Sequence, residues 1–174
     1  QITMAVHQLE LHSDRPPHSR LDGPGDSKVL GELGPLITRL AESPLEIELA
    51  QRLRYDVFVG EMGAVPSLEN RHDRLDCDSY DALCDHLLVI DREAGDRIVG
   101  TYRLLPGRKR GPQGFYTQTE FALEGLLGAN AGSNLLELGR SCIHRDYRSK
   151  RSMELLWQGA WAYAVAERTG IMFC

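Results

Sequence analysis

The stretch from residue 134 to residue 174 constrains the fold most. A strand-like run, Leu135-Leu136-Glu137-Leu138-Gly139-Arg140-Ser141-Cys142-Ile143, is followed by a cation-rich turn from His144 to Arg151. A long helical pattern then ends near Thr169-Gly170, and a second apolar run starts at Ile171. Two strands joined by one helix run in the same direction, so this unit is a parallel crossover. Upstream, Leu87 to Ile90 and Ile98 to Leu105 are strand-like and joined by Arg92-Glu93-Ala94-Gly95-Asp96, which predicts an antiparallel hairpin. Parallel and antiparallel pairs in one sheet give an α/β fold of the α+β type.

Further upstream, Leu36 to Ala41 alternates as a strand and stops at Ser43-Pro44, where Ser43 can cap a helix and Pro44 suits its first turn. Glu46, three residues after Ser43, completes a capping box. Leu45, Leu49, Leu53, Val57 and Phe58 recur at helical spacing up to Met62 and are expected to face inward. Residues 66 to 85 carry Asp73, Asp76, Asp78, Asp81 and Asp85 against Arg71 and Arg74, which predicts a loop too polar for the core. Residues 1–33 hold Pro16-Pro17 and Gly23-Pro24-Gly25 without an apolar period, and are expected to be a flexible arm ahead of a single domain over 34–174.

The charge is −5 over 174 residues, which excludes a generally basic nucleic-acid binder. Nothing in the sequence resembles a secretory signal or an apolar membrane span, so the expected compartment is the cytoplasm. Cys77, Cys84, Cys142 and Cys174 form no CxxC pair and read as free thiols, with a Cys/His zinc site a poor second. Neither GxGxxG nor GxxxxGK[ST] occurs, which removes the dinucleotide and P-loop readings.

The basic turn sets Arg145, Arg148, Lys150 and Arg151 against Asp146 at the start of a helix, where the macrodipole and unpaired amides favour an anion such as phosphate. The alternative is a solvated turn with surface ion pairs. Ser141 and Cys142 are nucleophiles in principle, though Cys142 suits a buried strand position better. His86 reads as a structural histidine, and Trp157, Trp161 and Tyr163 as core.

Several segments together resemble a family. They are Leu53 to Ala64, Cys84 to Val89, Gly100 to Leu105, Leu136 to Cys142, and Tyr147-Arg148 with Leu155-Leu156-Trp157. In this order they are similar to the GNAT-fold ornithine-acyl carrier protein N-acyltransferases, the hemolysin-like family, and more distantly to the acyl-homoserine-lactone synthases. The lactone synthases' spaced charged set is matched by Arg54 with Phe58, Asp78 with Asp81, Arg103, and Glu137 with Arg140. A tryptophan that they carry near Ala64 is missing, which argues against lactone synthesis.

The resemblance implies transfer of a long-chain (3-hydroxy)acyl group from acyl carrier protein to the α-amine of ornithine or a similar amino acid, the first step of ornithine-lipid synthesis. It implies catalytic roles for Glu137, Arg140 and Ser141, and substrate binding by Arg54, Phe58, Asp78, Asp81 and Arg103. Arg148, Ser149, Lys150 and Arg151 would hold the donor, with no metal and no permanently bound cofactor. The usual GNAT loop has small residues where this chain has Arg151 and Met153, so the acyl-phosphopantetheine of a carrier protein fits better than acyl-coenzyme A. The acidic carrier would dock on Arg108, Lys109 and Arg110 together with the 145–151 cluster. A lipid product allows peripheral contact with the inner membrane.

Glu137 is expected to be the base or the positioner of the amine, or else part of a buried ion-pair network with Arg140, Arg54, Asp78, Asp81 and Arg103. Strand alternation puts Glu137 and Arg140 on opposite faces unless a bulge near Leu138-Gly139 resets them. The acidic loop suits a cationic substrate, or is solvated surface. An acetyl-coenzyme A acetyltransferase and a non-catalytic GNAT-fold binding protein are the competing readings. Because the fold implied continues past its fifth strand, a longer parent chain is expected, with an uncovered sheet edge at the Ile171 strand.

Overall fold

The computed structural model describes residues 6–8 and 28–174. Their strands are β1 (Val6–Gln8), β2 (Gly31–Leu33), β3 (Leu36–Leu40), β4 (Asp85–Asp91), β5 (Arg97–Pro106), β6 (Leu135–Ile143) and β7 (Ile171–Phe173). They form one sheet in the order β1-β7-β6-β5-β4-β3-β2, in which β6 and β7 are parallel and every other pair is antiparallel. The helices are α1 (Pro44–Tyr55), α2 (Leu68–Asp73), α3 (Glu124–Ala129) and α4 (Lys150–Ala166). The hairpin is therefore β4–β5, the crossover is β6–α4–β7, and the architecture is the mixed α+β sheet expected.

The boundary expected at residue 33 falls inside a hairpin, because β2 turns at Gly34-Pro35 and pairs back on β3. Val6–Gln8 is likewise a strand, lying along the far edge of β7, so that edge is paired rather than open. The remainder of the expected arm, residues 1–5 and 9–27, lies outside the described residues.

Ser43 caps α1 by accepting from the Glu46 amide. The carboxylate of Glu46 reaches one residue further back than a capping box requires, taking the Glu42 amide and pairing with Arg39 at 2.5 Å. The inward face of α1 is Ala50, Leu53, Arg54 and Tyr55, whereas Leu45 and Leu49 are exposed, which corrects the expected stripe. The helix then widens into a π-helical turn, Asp56–Glu61, and this sends Val57 into the core beside Leu53 and Cys142.

On the other face of the sheet, α4 buries Ser152, Leu155, Leu156, Gly159, Ala160, Tyr163 and Ala164. These pack on Leu87, Val89, Tyr102, Leu104, Leu136 and Leu138. Gly159 lets the helix approach closely, since a Cβ there would meet Thr38 Oγ1 at 2.8 Å. The stripe through 155, 159 and 163 leaves Trp157 and Trp161 outside it, at 41% and 49% exposed, and so neither is the core residue expected. Among the described residues no helix is long and apolar enough to cross a membrane.

Candidate active site

The site is made by an irregularity in β6. Thr101 faces Cys142 and Arg103 faces Gly139, so β6 carries one residue more than β5 between these rungs. The extra residue is a bulge at Arg140-Ser141, where Arg140 takes φ 54°, a left-handed conformation that costs a side-chain-bearing residue about 1–2 kcal/mol. This is two positions beyond the Leu138-Gly139 bulge considered from the sequence. It turns Arg140 away from the Leu136 and Leu138 face and onto the same side as Glu137.

A cavity of about 360 Å³ opens there. Phe58, Leu105, Phe121 and Leu138 give it an apolar wall, and Arg103, Arg140, Glu137 and Glu120 give it a charged one. Arg140 stacks on Phe58 at 5.6 Å and on Tyr116 at 5.7 Å, while Arg103 stacks on the same Tyr116 ring at 5.5 Å. Exposed Ser141 and the thiol of Cys84 also line it.

Glu137 is 4% exposed and holds a loop. Its Oε2 accepts from the Tyr116 amide at 2.9 Å, and its Oε1 accepts from both the amide and the hydroxyl of Thr117 at 2.5 Å. The carboxylate thereby caps the 3₁₀ turn Tyr116–Thr119. It makes none of the ion pairs expected with Arg54 or Arg103; its charge is met by N–H and O–H donors instead.

The ion-pair network exists without it. Arg54, 1% exposed on α1, binds Asp81 with both ends of its fork at 2.8 and 3.0 Å, and its Nε is 2.9 Å from Asp76 Oδ2. It also donates to the Asp76 carbonyl. A fork so occupied cannot also take a substrate carboxylate. Arg103 binds Asp78 at 2.7 Å and remains at the cavity wall. The acidic loop is correspondingly not a solvated surface throughout: Asp73 is exposed beside His72, but Asp81 is buried and Asp76 nearly so, drawn in by Arg54. Burial alone raises the Asp81 pKa, yet the bonds and charge of Arg54, the Asp78 amide and Arg103 bring it net below the ordinary value.

His86 donates from Nε2 to the Asp81 carbonyl at 3.0 Å, and burial holds its pKa below the usual histidine value, so it packs as neutral imidazole. Its Nδ1 has no hydrogen-bond partner among the described residues. Burial pushes the Cys142 thiol up to about 12 and the Cys84 thiol up to about 12, which leaves neither as a thiolate nucleophile.

At the basic turn, Ser149 caps α4 by accepting from the Ser152 amide, and Arg148 is tied back to Glu61 at 2.8 Å and to the Ile143 carbonyl at 2.9 Å. All four expected donor ligands are exposed, and Lys150 and Arg151 are the two not tied to the end of β6 or to the cap; Lys150 is 3.7 Å from Glu154. The sheet register separates this turn from Arg108, Lys109 and Arg110. One follows the end of β6 and the other the end of the antiparallel β5, roughly 20 Å apart at the rise of a strand. Arg108 and Lys109 are also paired, with Glu167 and Asp85. The single docking face expected from charge is thus two separate patches.

Residues 53–158 match the family described as acetyltransferase (GNAT) domain. This chain belongs to the GNAT family. It is 49% identical over 154 residues to the L-ornithine N(alpha)-acyltransferase of Rhizobium meliloti (strain 1021), a match covering 84% of this chain and 51% of the relative. It is 47% identical over 149 residues to the protein of that name from Agrobacterium fabrum (strain C58 / ATCC 33970), covering 83% and 51%. The chain spans about half the length of the curated relatives it matches. Among solved structures, FeeM, an N-acyl amino acid synthase from uncultured soil microbes, superposes with a TM-score of 0.57 at 17% identity, covering 77% of this chain and 67% of FeeM. The AHL synthase LasI gives 0.53 at 18%, covering 77% and 68%. Both show the same fold as this chain.

Sequence reasoning missed the loop between β5 and β6, which supplies Tyr116, Thr117, Glu120 and Phe121 to the cavity. Two signals were present. Phe115, Phe121 and Leu123 are large apolar residues in an otherwise polar stretch, and a glutamate in a central strand needs donors from somewhere.

Proposed function

We propose that this GNAT-family chain carries the acyltransfer site of an N-acyltransferase that moves a long-chain acyl group from an acyl carrier protein thioester to the α-amine of ornithine. The observation that carries this reading is the two-sided cavity: an apolar wall suits an acyl chain, and the Arg103 and Arg140 wall suits the carboxylate of an amino acid. Asp78, paired with Arg103 at 2.7 Å, lines the adjacent cavity that shares Tyr116 and Arg140, and favours a cationic acceptor nearby. The names of the relatives support ornithine as that acceptor.

The reaction is direct. A neutral amine attacks the thioester carbon, the C–S bond breaks, and the thiol leaves with a proton. Backbone N–H groups released at the Arg140-Ser141 bulge are suited to the oxyanion. Incubation with acyl carrier protein and acyl-coenzyme A donors against a panel of amino acids, with mass detection, tests it. N-acyl-ornithine from the carrier-bound donor is expected. Product from acetyl-coenzyme A alone would make this an ordinary acetyltransferase, and no product from any pair would make it a binding protein.

Lys150 and Arg151, with the first amides of α4, are the proposed contacts of the single phosphopantetheine phosphate. Neutralising both is expected to raise the donor KM several-fold and flatten its salt dependence, leaving the amino-acid KM unchanged. Unchanged donor kinetics would take the basic turn out of the reaction.

A further inference from the structure

Two glutamates line the cavity, and their surroundings differ. Glu137 receives three donors, which occupy both of its oxygens. Glu120 is exposed at the cavity wall, where its Oε1 meets the Tyr116 hydroxyl at 3.2 Å. Both residues of this second pair lie on the 3₁₀ turn and its C-terminal end, the turn that Glu137 caps from the other side. We propose that Glu120, acting with the Tyr116 hydroxyl, accepts the proton of the attacking amine, and that Glu137 acts only by positioning this pair. The inference rests on the acyl transfer to an amine proposed above.

Tyr116 is fixed well enough for such a role. Its amide is held by Glu137, its ring lies between the Arg103 and Arg140 guanidiniums, and Tyr80 packs edge-on at 5.5 Å. A phenol immobilised on three sides has little freedom except at its oxygen, which points to Glu120. Burial first, and then the Glu120 charge, raises the Tyr116 pKa although Arg140 opposes it, so the phenol keeps its proton and relays by exchange. Arg140 adopts its left-handed backbone at the position from which its guanidinium reaches that ring, which gives the strain in β6 a use.

The step balances. The substrate ammonium loses one proton to solvent by way of Glu120 and becomes a neutral amine. The nitrogen lone pair forms the C–N bond, and the thioester π electrons move to oxygen. As the C–O double bond reforms, the C–S bond breaks. The second nitrogen proton passes through the Tyr116 hydroxyl to Glu120 and on to the departing thiolate, which leaves as thiol.

The test uses L-ornithine and a 3-hydroxyacyl carrier protein with the wild type, Glu120→Gln and Tyr116→Phe. Glu120→Gln is expected to lower kcat about 10²-fold near neutral pH, to regain much of that loss at alkaline pH where the amine is already neutral, and to melt as the wild type does, because the side chain is exposed. Tyr116→Phe is expected to shift in the same direction with the same pH trend. Wild-type kcat and an unshifted pH profile in Glu120→Gln would overturn the proposal while leaving acyl transfer intact. No turnover by the wild type would overturn the acyl-transfer reading, and this inference with it.

Discussion

Arg54→Met is expected to cost about 3–5 kcal/mol of folding stability, because it leaves buried Asp81 and Asp76 with only the longer cation contacts of Arg103 at 3.6 Å and Arg140 at 3.7 Å. In a chain of this length that is a fall in Tm of roughly 10 °C. The sign of its pH dependence follows from Asp81. With Arg54 present the folded pKa lies below the unfolded one, so the pair stabilises above about pH 4 and that contribution fades as the pH drops through the folded pKa. Without Arg54, burial dominates and Asp81 titrates above its unfolded value. The variant then gains relative to the wild type on acidification, so the gap measured by denaturant unfolding should be widest near pH 7 and narrow toward pH 4. A gap under about 1 kcal/mol at pH 7, or one that widens in acid, would show that Arg54 does not hold the loop. The loop carries Asp78, the partner of Arg103 at the cavity, so kcat should fall with the folded fraction and beyond it.

What the sequence made legible is what local chemistry decides. Ser43-Pro44 starts α1 and the Arg92 to Asp96 turn sets the β4–β5 hairpin, each through a cap or turn within a few residues. The crossover to β7 followed from strand direction alone. The residues misplaced were those whose surroundings come from elsewhere in the chain. Leu45 and Leu49 share helical spacing with Leu53, but the sheet covers α1 from Ala50 onward. Trp157 and Trp161 flank the buried stripe of α4 rather than joining it, Trp157 meeting the sheet edge-on at the Tyr102 ring. The type and spacing of Arg54 match a family's substrate ligands, yet its fork is closed by Asp81, 27 residues away. The bulge was half visible, since a glycine within a strand pattern marks a weak rung, but the positive φ fell on Arg140.

Glu137→Ala is expected to remove nearly all turnover, and whether the turn loosens with it decides why. The change strips the acceptor from the Tyr116 amide, the Thr117 amide and the Thr117 hydroxyl, each of which then stands unpaired at a cost of about 1–3 kcal/mol unless the turn moves toward water. Such a move takes Tyr116 off the guanidiniums of Arg103 and Arg140 and carries Glu120 with it. A displacement of about 1 Å in a reacting group is enough for a 10²-fold loss in kcat. Glu137→Gln retains one acceptor oxygen for the Thr117 pair but sets an amide N–H₂ against the Tyr116 N–H, so it should recover part of both stability and activity. In each variant Tm should fall and proteolysis within residues 111–123 should quicken in step with the loss of kcat. If activity instead climbs back at alkaline pH while Tm and proteolysis stay at wild-type values, the missing function is proton removal, and Glu137 is itself the base.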